Sequence, residues 1–458
     1  MHKRFLWLSN PSRLMVLSFA LFILLCSGLL ALPISQPTGL QPITWIDAFF
    51  TITSATCVTG LSVRDTGSDF SLFGQGLILL AIQCGGLGIL TFSSLLINLN
   101  RQKMALSQRM LLETSHGLLP SVSPISLLKH IFLYTILIEG VGALLLTYHF
   151  AKEYTWPTAL WMGTFHAVSA FCNAGFALLA NNLIPYRDDL LLNGVIMSLI
   201  VLGGLGFVVF ADLDQWLLHR LRGQRSRLSL HSRMVLRTTA LLIGVATLLF
   251  ALLEMDGKAM GEQSWEKLFQ NSLFLSVTAR TAGFNTVDIA QLTNPTLFLL
   301  VLLMAIGGSP GSTAGGIKTT TFATLTAMIT SRIRNRPKVE YLDRSLADET
   351  LTKAMATAFG FASVMIVGLL LLQLTEEGRA AHNTLQGRTL DFLFEVTSAL
   401  ATVGLSTGIT PTLSSAGKLV LIGLMFIGRL GPLLLATSLI GQYERIHYSY
   451  PEESINIG

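Results

Sequence analysis

The chain has 458 residues, of which 51% are hydrophobic and 12% charged, and its mean hydropathy is +0.60. This composition excludes a soluble globular protein and indicates a chain that crosses a lipid bilayer several times. The net charge of +5 is spread over short loops without interleaved aromatic residues, so it does not indicate a nucleic-acid partner.

Apolar stretches of about 20 residues are long enough to cross the hydrocarbon core of a membrane as helices. The sequence predicts such spans near 14–32, 72–97, 125–148, 190–211, 234–253, 354–374 and 417–440. A further apolar stretch, 296–306, is about half the required length. The first span lacks a small-residue cleavage site, and its apolar run is too long for a signal peptide, so we expect a retained helix.

Basic residues predict the orientation of these spans. Of the 31 Lys and Arg residues, 18 lie before the first span or in the loops near 101–109, 220–237 and 332–353. In membrane proteins the excess of Lys and Arg is found in cytoplasmic loops. We therefore expect a multi-pass protein of the plasma membrane (a bacterial inner membrane) with both termini in the cytoplasm.

Each quarter of the chain has the same order of segments: a long apolar helix, a half-length helix, a polar turn that ends in glycine, and a second long helix. The predicted repeats are 12–98, 124–219, 231–331 and 350–442, followed by a cytoplasmic tail, 443–458. Non-helical backbone at membrane depth must be surrounded by protein or by a water-filled path. The predicted fold is therefore an all-α membrane protein in which four tandem helix–pore-helix–filter–helix repeats surround one central ion pore.

Four glycines end the polar turns, and they are spaced about 110 to 120 residues apart. The turns read Thr56-Cys57-Val58-Thr59-Gly60, Phe171-Cys172-Asn173-Ala174-Gly175, Ala279-Arg280-Thr281-Ala282-Gly283 and Leu400-Ala401-Thr402-Val403-Gly404. Backbone carbonyls from four equivalent turns that meet on one axis form the kind of ring that replaces water around a desolvated cation. The turns therefore predict a membrane cation pathway.

The half-length helices share two further features. Asp47 and Asp391 lie thirteen residues before their glycines, in the first helical turn, where a negative charge complements the helix dipole. Each acid either only caps its helix or also attracts cations. The position six residues before the glycine is Ser54, Ser169 or Ser398, with Val277 breaking the pattern in the third repeat.

The second long helix of each quarter contains glycines at corresponding positions. Gly85-Gly86-Leu87-Gly88 and Gly203-Gly204-Leu205-Gly206 are small-residue runs that allow helices to approach closely. The third repeat instead has a run that cannot form a continuous helix, because it contains five glycines and a proline. This loop consists of Gly307, Gly308, Ser309, Pro310, Gly311, Ser312, Thr313, Ala314, Gly315 and Gly316.

The loop follows a half-length span, so we expect it near mid-membrane, below the filter, with a helix restarting over 317–330. A phosphate-binding loop is disfavoured because no Gly-Lys-Ser/Thr sequence is present and no strand precedes it. The prediction is a gate or barrier loop, and a passive kink is the alternative. Lys318 at its end either belongs to the gate or marks the cytoplasmic side.

Arg429 replaces the glycine found at positions 86, 204 and 308. A charged residue at membrane depth is a functional candidate by default. We expect its side chain to point inward, to donate to carbonyls of the 307–316 loop and to place positive charge beside the cation path; a purely structural tie is the alternative. Arg280, three residues before Gly283, would block a cation filter, so we expect it to point away and to pin the turn.

These motifs resemble the Trk/Ktr/HKT superfamily of potassium transporters over nearly the whole chain. The resemblance is carried by Thr-Ala-Gly-Phe at 281–284, Asn-Ala-Gly-Phe at 173–176, Gly-Ser-Thr-Ala-Gly-Gly-Ile-Lys at 311–318 and Ile-Gly-Arg-Leu-Gly-Pro at 427–432. The chain begins directly at the first repeat, which looks more like the bacterial Ktr membrane subunit than like TrkH. The resemblance implies that the broken third-repeat helix is an intramembrane gate with Arg429 as its partner.

The resemblance also implies which residues bind the ion and which partners are present. The ion-binding residues it implies are Val58, Thr59, Gly60, Asn173, Ala174, Gly175, Thr281, Ala282, Gly283, Thr402, Val403 and Gly404. Family members with glycine at all four turns generally transport potassium, whereas serine at the first turn accompanies sodium uptake in some plant members. The implied assembly is a homodimer with one pore per subunit and a separate cytoplasmic regulatory subunit that binds nucleotide.

The function expected from the sequence is potassium uptake driven by the membrane potential. Sodium either stimulates this uptake or is co-transported, and a sodium-permeable or sodium-coupled transporter is the alternative. A carrier with midplane substrate sites would show ionisable residues in several helices and inverted repeats, whereas these repeats run in one direction. An enzyme is disfavoured because His149 and His166 stand alone, and no cofactor besides the transported ion is expected.

Overall fold

The computed structural model describes residues 11–39, 41–99, 124–260, 264–378, 388–432 and 435. Within them the helices are α1 (Pro11–Leu30), α2 (Trp45–Thr56), α3 (Leu72–Leu99), α4 (Pro124–Phe150), α5 (Trp156–Phe171), α6 (Leu190–Leu205), α7 (Phe207–Leu221), α8 (Leu230–Leu253), α9 (Trp265–Thr278), α10 (Asn294–Ala305), α11 (Thr319–Ile333), α12 (Asp348–Glu376), α13 (Arg388–Ala401) and α14 (Ser415–Leu430). An antiparallel hairpin, β1 (Glu340–Tyr341) and β2 (Arg344–Ser345), separates α11 from α12. The predicted tail, 443–458, lies outside the described residues.

Long and half-length helices alternate along the chain. The half-length helices α2, α5, α9 and α13 each follow a long helix and lead into one of the glycine turns. Each also packs against the helix before it. The order of elements is thus the predicted order in every quarter, while the division into four repeats stays a prediction.

Several long helices have the length and the surface that a bilayer requires. Among the described residues, His130–Phe150, Leu230–Leu253 and Asp348–Glu376 are long and apolar enough to cross a membrane, and α6 with α7 would count as a fourth span. Large apolar side chains on α4 and α12 are exposed, for example Leu144 and Phe359. Lipid, unlike water, is a favourable solvent for such surfaces.

The predicted interruption of the third quarter is confirmed. Helix α10 ends at Ala305, α11 begins at Thr319, and the backbone between them is not helical. Ile306 and Ile317 form a parallel bridge that closes the loop at its base: Gly307 N donates to Ile317 O, and Ile317 N donates to Ala305 O, both at 2.9 Å. The interruption is therefore a closed loop whose two ends lie side by side.

A second interruption, at Gly206, differs from the prediction of one span over 190–211. Helix α6 ends there, α7 leaves at 93° to it, and Gly206 has φ of 91°. A Cβ atom on Gly206 would lie 2.6 Å from Pro310 O, so only glycine fits. The bend is stabilised from outside, because Phe207 N donates to Gly311 O at 3.0 Å. The close helix approach expected of this run is confirmed at Gly203, whose Cβ would lie 1.9 Å from Phe171 O.

The core lies between the half-length helices and the longer helices around them. A phenylalanine near the middle of each half-length helix is fully buried: Phe50, Phe165, Phe274 and Phe394. Burying such a side chain contributes roughly 1.5–3 kcal/mol. These anchors fix the half-length helices, and with them the glycine turns at their carboxyl ends.

Candidate ion pathway

The four glycine turns share an unusual backbone. The residue two positions before each glycine has positive φ: 56° at Val58, 59° at Asn173, 65° at Thr281 and 53° at Thr402. Positive φ is a true outlier for β-branched residues and costs roughly 1–3 kcal/mol. The glycines have positive φ as well, between 70° and 98°. A strained conformation made four times points to a functional requirement on this backbone.

The four turns meet in a closed ring. A Cβ atom added to each glycine would lie less than 3.0 Å from the carbonyl oxygen of the residue just before the next glycine. In ring order the distances are 2.5 Å from Gly60 to Ala174, 2.8 Å from Gly175 to Ala282, 2.6 Å from Gly283 to Val403 and 2.0 Å from Gly404 to Thr59. The turns therefore follow one another in chain order around one axis, and the second turn lies opposite the fourth.

Hydroxyl groups at the end of the half-length helices hold the turns. Gly60 N donates to Ser54 Oγ and Gly404 N to Ser398 Oγ, both at 3.1 Å. In the second turn Ser169 Oγ donates instead to Phe176 O at 2.8 Å.

The third turn does the same with a residue that the sequence pattern missed. Thr278 Oγ1 donates to Phe284 O at 2.5 Å. Ala282 N donates to Thr278 O, five residues before Gly283, whereas Ala174 N donates to Ser169 O, six residues before Gly175. The third turn is thus one residue shorter, and Thr278, not Val277, takes the place of the serines. The sequence did contain a signal for this: the hydroxyl residue Thr278 lies one position after the position at which the other turns have serine.

The electrostatics of the ring favour a cation. The carboxyl ends of α2, α5, α9 and α13 all lead into the turns, and the carboxyl end of a helix carries partial negative charge. Asp47 itself is not free to attract ions, because its carboxylate lies 2.8 Å from Lys418 Nζ and 3.8 Å from Arg64 Nε. The N-cap of α2 is Thr44, whose side chain accepts from Asp47 N at 3.1 Å.

The 307–316 loop lies directly against the turns. Thr313 Oγ1 is 3.0 Å from Phe171 O and 3.1 Å from Gly203 O, and it accepts from Asn173 Nδ2 at 3.1 Å. Gly315 N donates to Thr281 Oγ1 at 3.2 Å. The loop thus contacts the inner ends of the second and third turns through polar atoms.

The fourth turn and the break at Gly206 touch the same loop. A Cβ atom on Gly315 would lie 2.0 Å from Thr402 Oγ1. Ser309 N donates to Gly204 O at 2.9 Å, and Ser312 Oγ donates to Ser309 O at 2.7 Å within the loop. The other predicted gate residues are at the loop's edges, where Gly308 O accepts from Thr319 N at 3.0 Å and Gly316 has φ of 63°.

Arg429 ties the loop to the first quarter, and the predicted contact with loop carbonyls is confirmed. Its Nη1 donates to Thr313 O, while Nη2 lies 2.6 Å from Gly85 O and 3.3 Å from Gly86 O. Among the described residues no carboxylate lies within 4.0 Å of this guanidinium. Within the described part of the chain, the hydrogen-bond partners of this guanidinium are backbone carbonyls.

Two further cations contact the loop. Arg280 Nη2 donates to Gly307 O at 3.2 Å, so its side chain pins the third turn to the loop's backbone, as predicted. Lys318 Nζ donates to Ala314 O at 2.7 Å and closes the loop's last turn. Lys318 is thus part of the loop structure.

Thr313→Val is expected to raise the rate of ion movement about fivefold, because it removes the hydroxyl that joins the loop to α5, α6 and Asn173 while keeping the side chain's shape. One neutral hydrogen bond contributes about 1 kcal/mol. Initial rubidium uptake per unit of membrane protein measures the effect. Thr247→Val, which removes a buried hydroxyl bonded within α8 to Ile243 O, is the control. Equal rates in both variants would contradict a restraining role for Thr313.

Comparison with known proteins identifies relatives over nearly the whole chain. A family model described as "TrkH: Cation transport protein" matches residues 12–445. The potassium/sodium uptake protein NtpJ of Enterococcus hirae is 36% identical over 452 residues, covering 98% of this chain and 97% of that protein. The Ktr system potassium uptake protein B of Bacillus subtilis is 37% identical over 451 residues, with the same coverage of 98% and 97%. The crystal structure of the potassium transporter TrkH from Vibrio parahaemolyticus has a similar fold, with a TM-score of 0.64 and 21% identity over 87% of this chain and 79% of that one.

Proposed function

Because the chain belongs to the TrkH family of cation transport proteins, we propose that it takes up potassium across the plasma membrane through the ring of glycine turns. Membership in this family of transporters also means that the protein is not an enzyme. The observation that carries the proposal is the closed cyclic contact of Gly60, Gly175, Gly283 and Gly404. Glycines so close to neighbouring carbonyls leave no room for a side chain at these four positions.

A backbone-lined ring suits potassium for electrostatic reasons. Carbonyl oxygens replace the hydration shell of a dehydrated alkali cation without carrying a net charge that would trap it. In the proposed filter the ligands come from each glycine and the two residues before it. These are Val58, Thr59, Gly60, Asn173, Ala174, Gly175, Thr281, Ala282, Gly283, Thr402, Val403 and Gly404. Glycine at the first turn supports potassium over sodium.

We propose that the 307–316 loop and Arg429 form the gate. The loop's bonds to Asn173 and Thr281, immediately inside the ring, support this assignment. The loop is held by individual hydrogen bonds and not by helical backbone, and each neutral one contributes only about 1 kcal/mol. Displacement of the loop would open a route from the ring to the cytoplasm.

The driving force needs no energy-transducing site in this chain. An inside-negative membrane potential favours entry of a monovalent cation by about 2.3 kcal/mol per 100 mV. The basic loops support an orientation with both termini in the cytoplasm. A homodimer and a separate cytoplasmic regulatory subunit that binds nucleotide complete the proposal; a relative named as part of a Ktr system supports more than one component.

Sodium movement is the second candidate function. It is favoured by one relative, which is named as a potassium/sodium uptake protein. Sodium would then act either as a stimulator of potassium uptake or as a co-transported ion. The two roles differ in whether sodium accumulates together with potassium.

Purified protein in liposomes with an imposed inside-negative potential tests these proposals. We expect the protein to accumulate rubidium, a potassium analogue, at least about tenfold faster than sodium, a preference of about 1.4 kcal/mol. Sodium accumulation that rises in proportion to rubidium would favour the second candidate. No uptake of either ion, in liposomes where a known potassium channel is active, would contradict the proposed function.

A further inference from the structure

A buried carboxylate behind the fourth turn holds the chain that leaves the ring. Glu395 lies inside α13 and is fully buried. Its carboxylate accepts from Ser406 Oγ at 2.5 Å, from Thr410 Oγ1 at 2.6 Å and from Thr407 N at 3.1 Å. All three donors belong to the segment 405–410, which follows Gly404. We call this segment the exit segment of the fourth turn.

A histidine takes the same place in the second turn. His166 lies nine residues before Gly175, as Glu395 lies nine residues before Gly404. His166 Nε2 accepts from Leu178 N at 3.3 Å, and Leu178, like Thr407, is the third residue after its glycine. His166 Nδ1 lies 2.8 Å from Met162 O, which fixes the tautomer with hydrogen on Nδ1 and leaves Nε2 as an acceptor.

Among the described residues, the matching helix position of the first and third turns offers no such acceptor, although Thr286 Oγ1, three residues after Gly283, donates to Asn271 Oδ1 of α9 at 3.2 Å. The matching residue in the first turn is Thr51, whose hydroxyl donates within its own helix to Asp47 O. In the shorter third turn the matching residue is apolar, Leu275. Since the second and fourth turns lie opposite each other in the ring, the two side chains that accept hydrogen bonds at this helix position, His166 and Glu395, lie on one diagonal.

We propose that Glu395, with a smaller contribution from His166, is a positioning residue that sets the width of the ring along this diagonal and so its preference for potassium over sodium. The inference rests on the proposed potassium uptake. A ring that suits potassium must resist closing around the smaller sodium ion, so discrimination depends on how firmly the carbonyls are held. Three hydrogen bonds to a carboxylate are stronger anchors than bonds between neutral groups.

Glu395→Leu tests the anchor because it removes every acceptor and keeps the site filled. We expect the ratio of rubidium to sodium uptake to fall about tenfold, which is about 1.4 kcal/mol shared among the carboxylate's three hydrogen bonds, while uptake itself continues. Glu395→Gln retains an oxygen for Ser406 and Thr407, and Thr410 can turn its hydroxyl to accept, so this variant is expected to keep most of the ratio. His166→Leu loses one neutral contact and should lower the ratio about threefold.

Glu254→Leu is the matched control. Glu254 is also a fully buried acid that accepts from a backbone nitrogen and a hydroxyl, both of Thr293 at the start of α10. We expect Glu254→Leu to lower the folding stability, as Glu395→Leu does. The ratio of rubidium to sodium uptake should stay unchanged in Glu254→Leu. If Glu395→Leu does not reach the membrane, Ser406→Ala and Thr410→Val each remove one donor and should lower the ratio about twofold to threefold.

Two results separate the inference from the function on which it rests. Wild-type protein without any preference for rubidium over sodium would overturn the proposed potassium filter itself. Wild-type preference that persists in Glu395→Leu, or in the two donor variants, would overturn only the anchoring. A ratio that falls equally in Glu254→Leu would also overturn it, because loss of any buried acid would then have the same effect.

Discussion

Gly404→Ser is expected to abolish the preference for potassium and to lower uptake by at least about tenfold, a barrier increase of about 1.4 kcal/mol. A Cβ atom at this position would lie 2.0 Å from Thr59 O and 2.9 Å from the Cα atom of Gly60. Both atoms belong to the backbone, so no side chain can rotate to make room. The first turn must move, and its proposed carbonyl ligands move with it.

The effect of crowding in the ring can be separated from the effect of backbone strain. Gly404 has φ of 92°, a conformation that costs an L-residue about 1–2 kcal/mol by itself. Gly39, between α1 and α2, has φ of 96° and no atom within 4 Å of an added Cβ. Gly39→Ser therefore carries the same strain without crowding and should keep the wild-type ratio of rubidium to sodium uptake.

For serine variants in the other turns, we expect the loss of preference to be larger where the added Cβ atom lies closer to the neighbouring carbonyl oxygen. The closest approaches for Gly60→Ser and Gly283→Ser are 2.5 and 2.6 Å, so both should weaken the preference less than Gly404→Ser. The measurement is initial uptake of both ions by liposomes that contain equal amounts of protein. Wild-type ratios in all three ring variants would remove these glycines from the proposed filter. Equal losses in Gly39→Ser would attribute the effect to strain.

Positive φ explains why the ring was visible in the sequence. Positive φ combined with a backbone oxygen of the next turn less than 3.0 Å from an added Cβ atom requires glycine at each of the four positions. Gly60, Gly175, Gly283 and Gly404 therefore appear as a spaced set. The interruption after Ala305 was visible for a related reason, since a run of glycines around Pro310 cannot form a stable helix.

Features that depend on a distant partner were not visible. The run that ends at Gly206 reads as a continuous apolar helix, and its bend exists because Phe207 N finds an acceptor at Gly311, more than 100 residues away. The shorter third turn escaped notice because spacing was counted from Gly283, whereas hydrogen bonding shows Thr278 in the place of the serines. Glu395 gave no signal, because the sequence does not show that its donors fold back onto α13.

The environment of Arg429 was only partly predictable from the sequence. Its position opposite three glycines predicted an inward side chain, and its bond to Thr313 O confirms the contact with the loop. The carbonyl partners in α3, Gly85 and Gly86, could not be predicted, because they belong to the most distant quarter of the chain. A guanidinium with several fixed donors suits such a site better than an ammonium, since it can bond to two carbonyl groups at once.

Arg429→Ala is expected to raise the rate of potassium uptake about tenfold or more. Two unit charges about 8 Å apart repel by about 2 kcal/mol at an effective dielectric constant of about 20. A guanidinium without a carboxylate partner therefore adds a barrier of this order for a cation passing nearby. The variant also releases the loop from α3, so both consequences act in the same direction. Initial rubidium uptake at equal protein content measures the change.

Arg429→Lys separates the effect of the positive charge from the effect of the hydrogen bonds that attach the loop to α3. An ammonium keeps the positive charge but cannot hold Thr313 O and Gly85 O together as the planar guanidinium does. A rate near that of the wild type would assign the barrier to charge, and a rate near that of Arg429→Ala would assign it to the loop's attachment. Thr313→Val loosens the loop with no change in charge, so its predicted rise in rate measures the contribution of the loop's attachment alone. Uptake by Arg429→Ala at or below the wild-type rate would contradict both and leave Arg429 as a structural tie between α14, α3 and the loop.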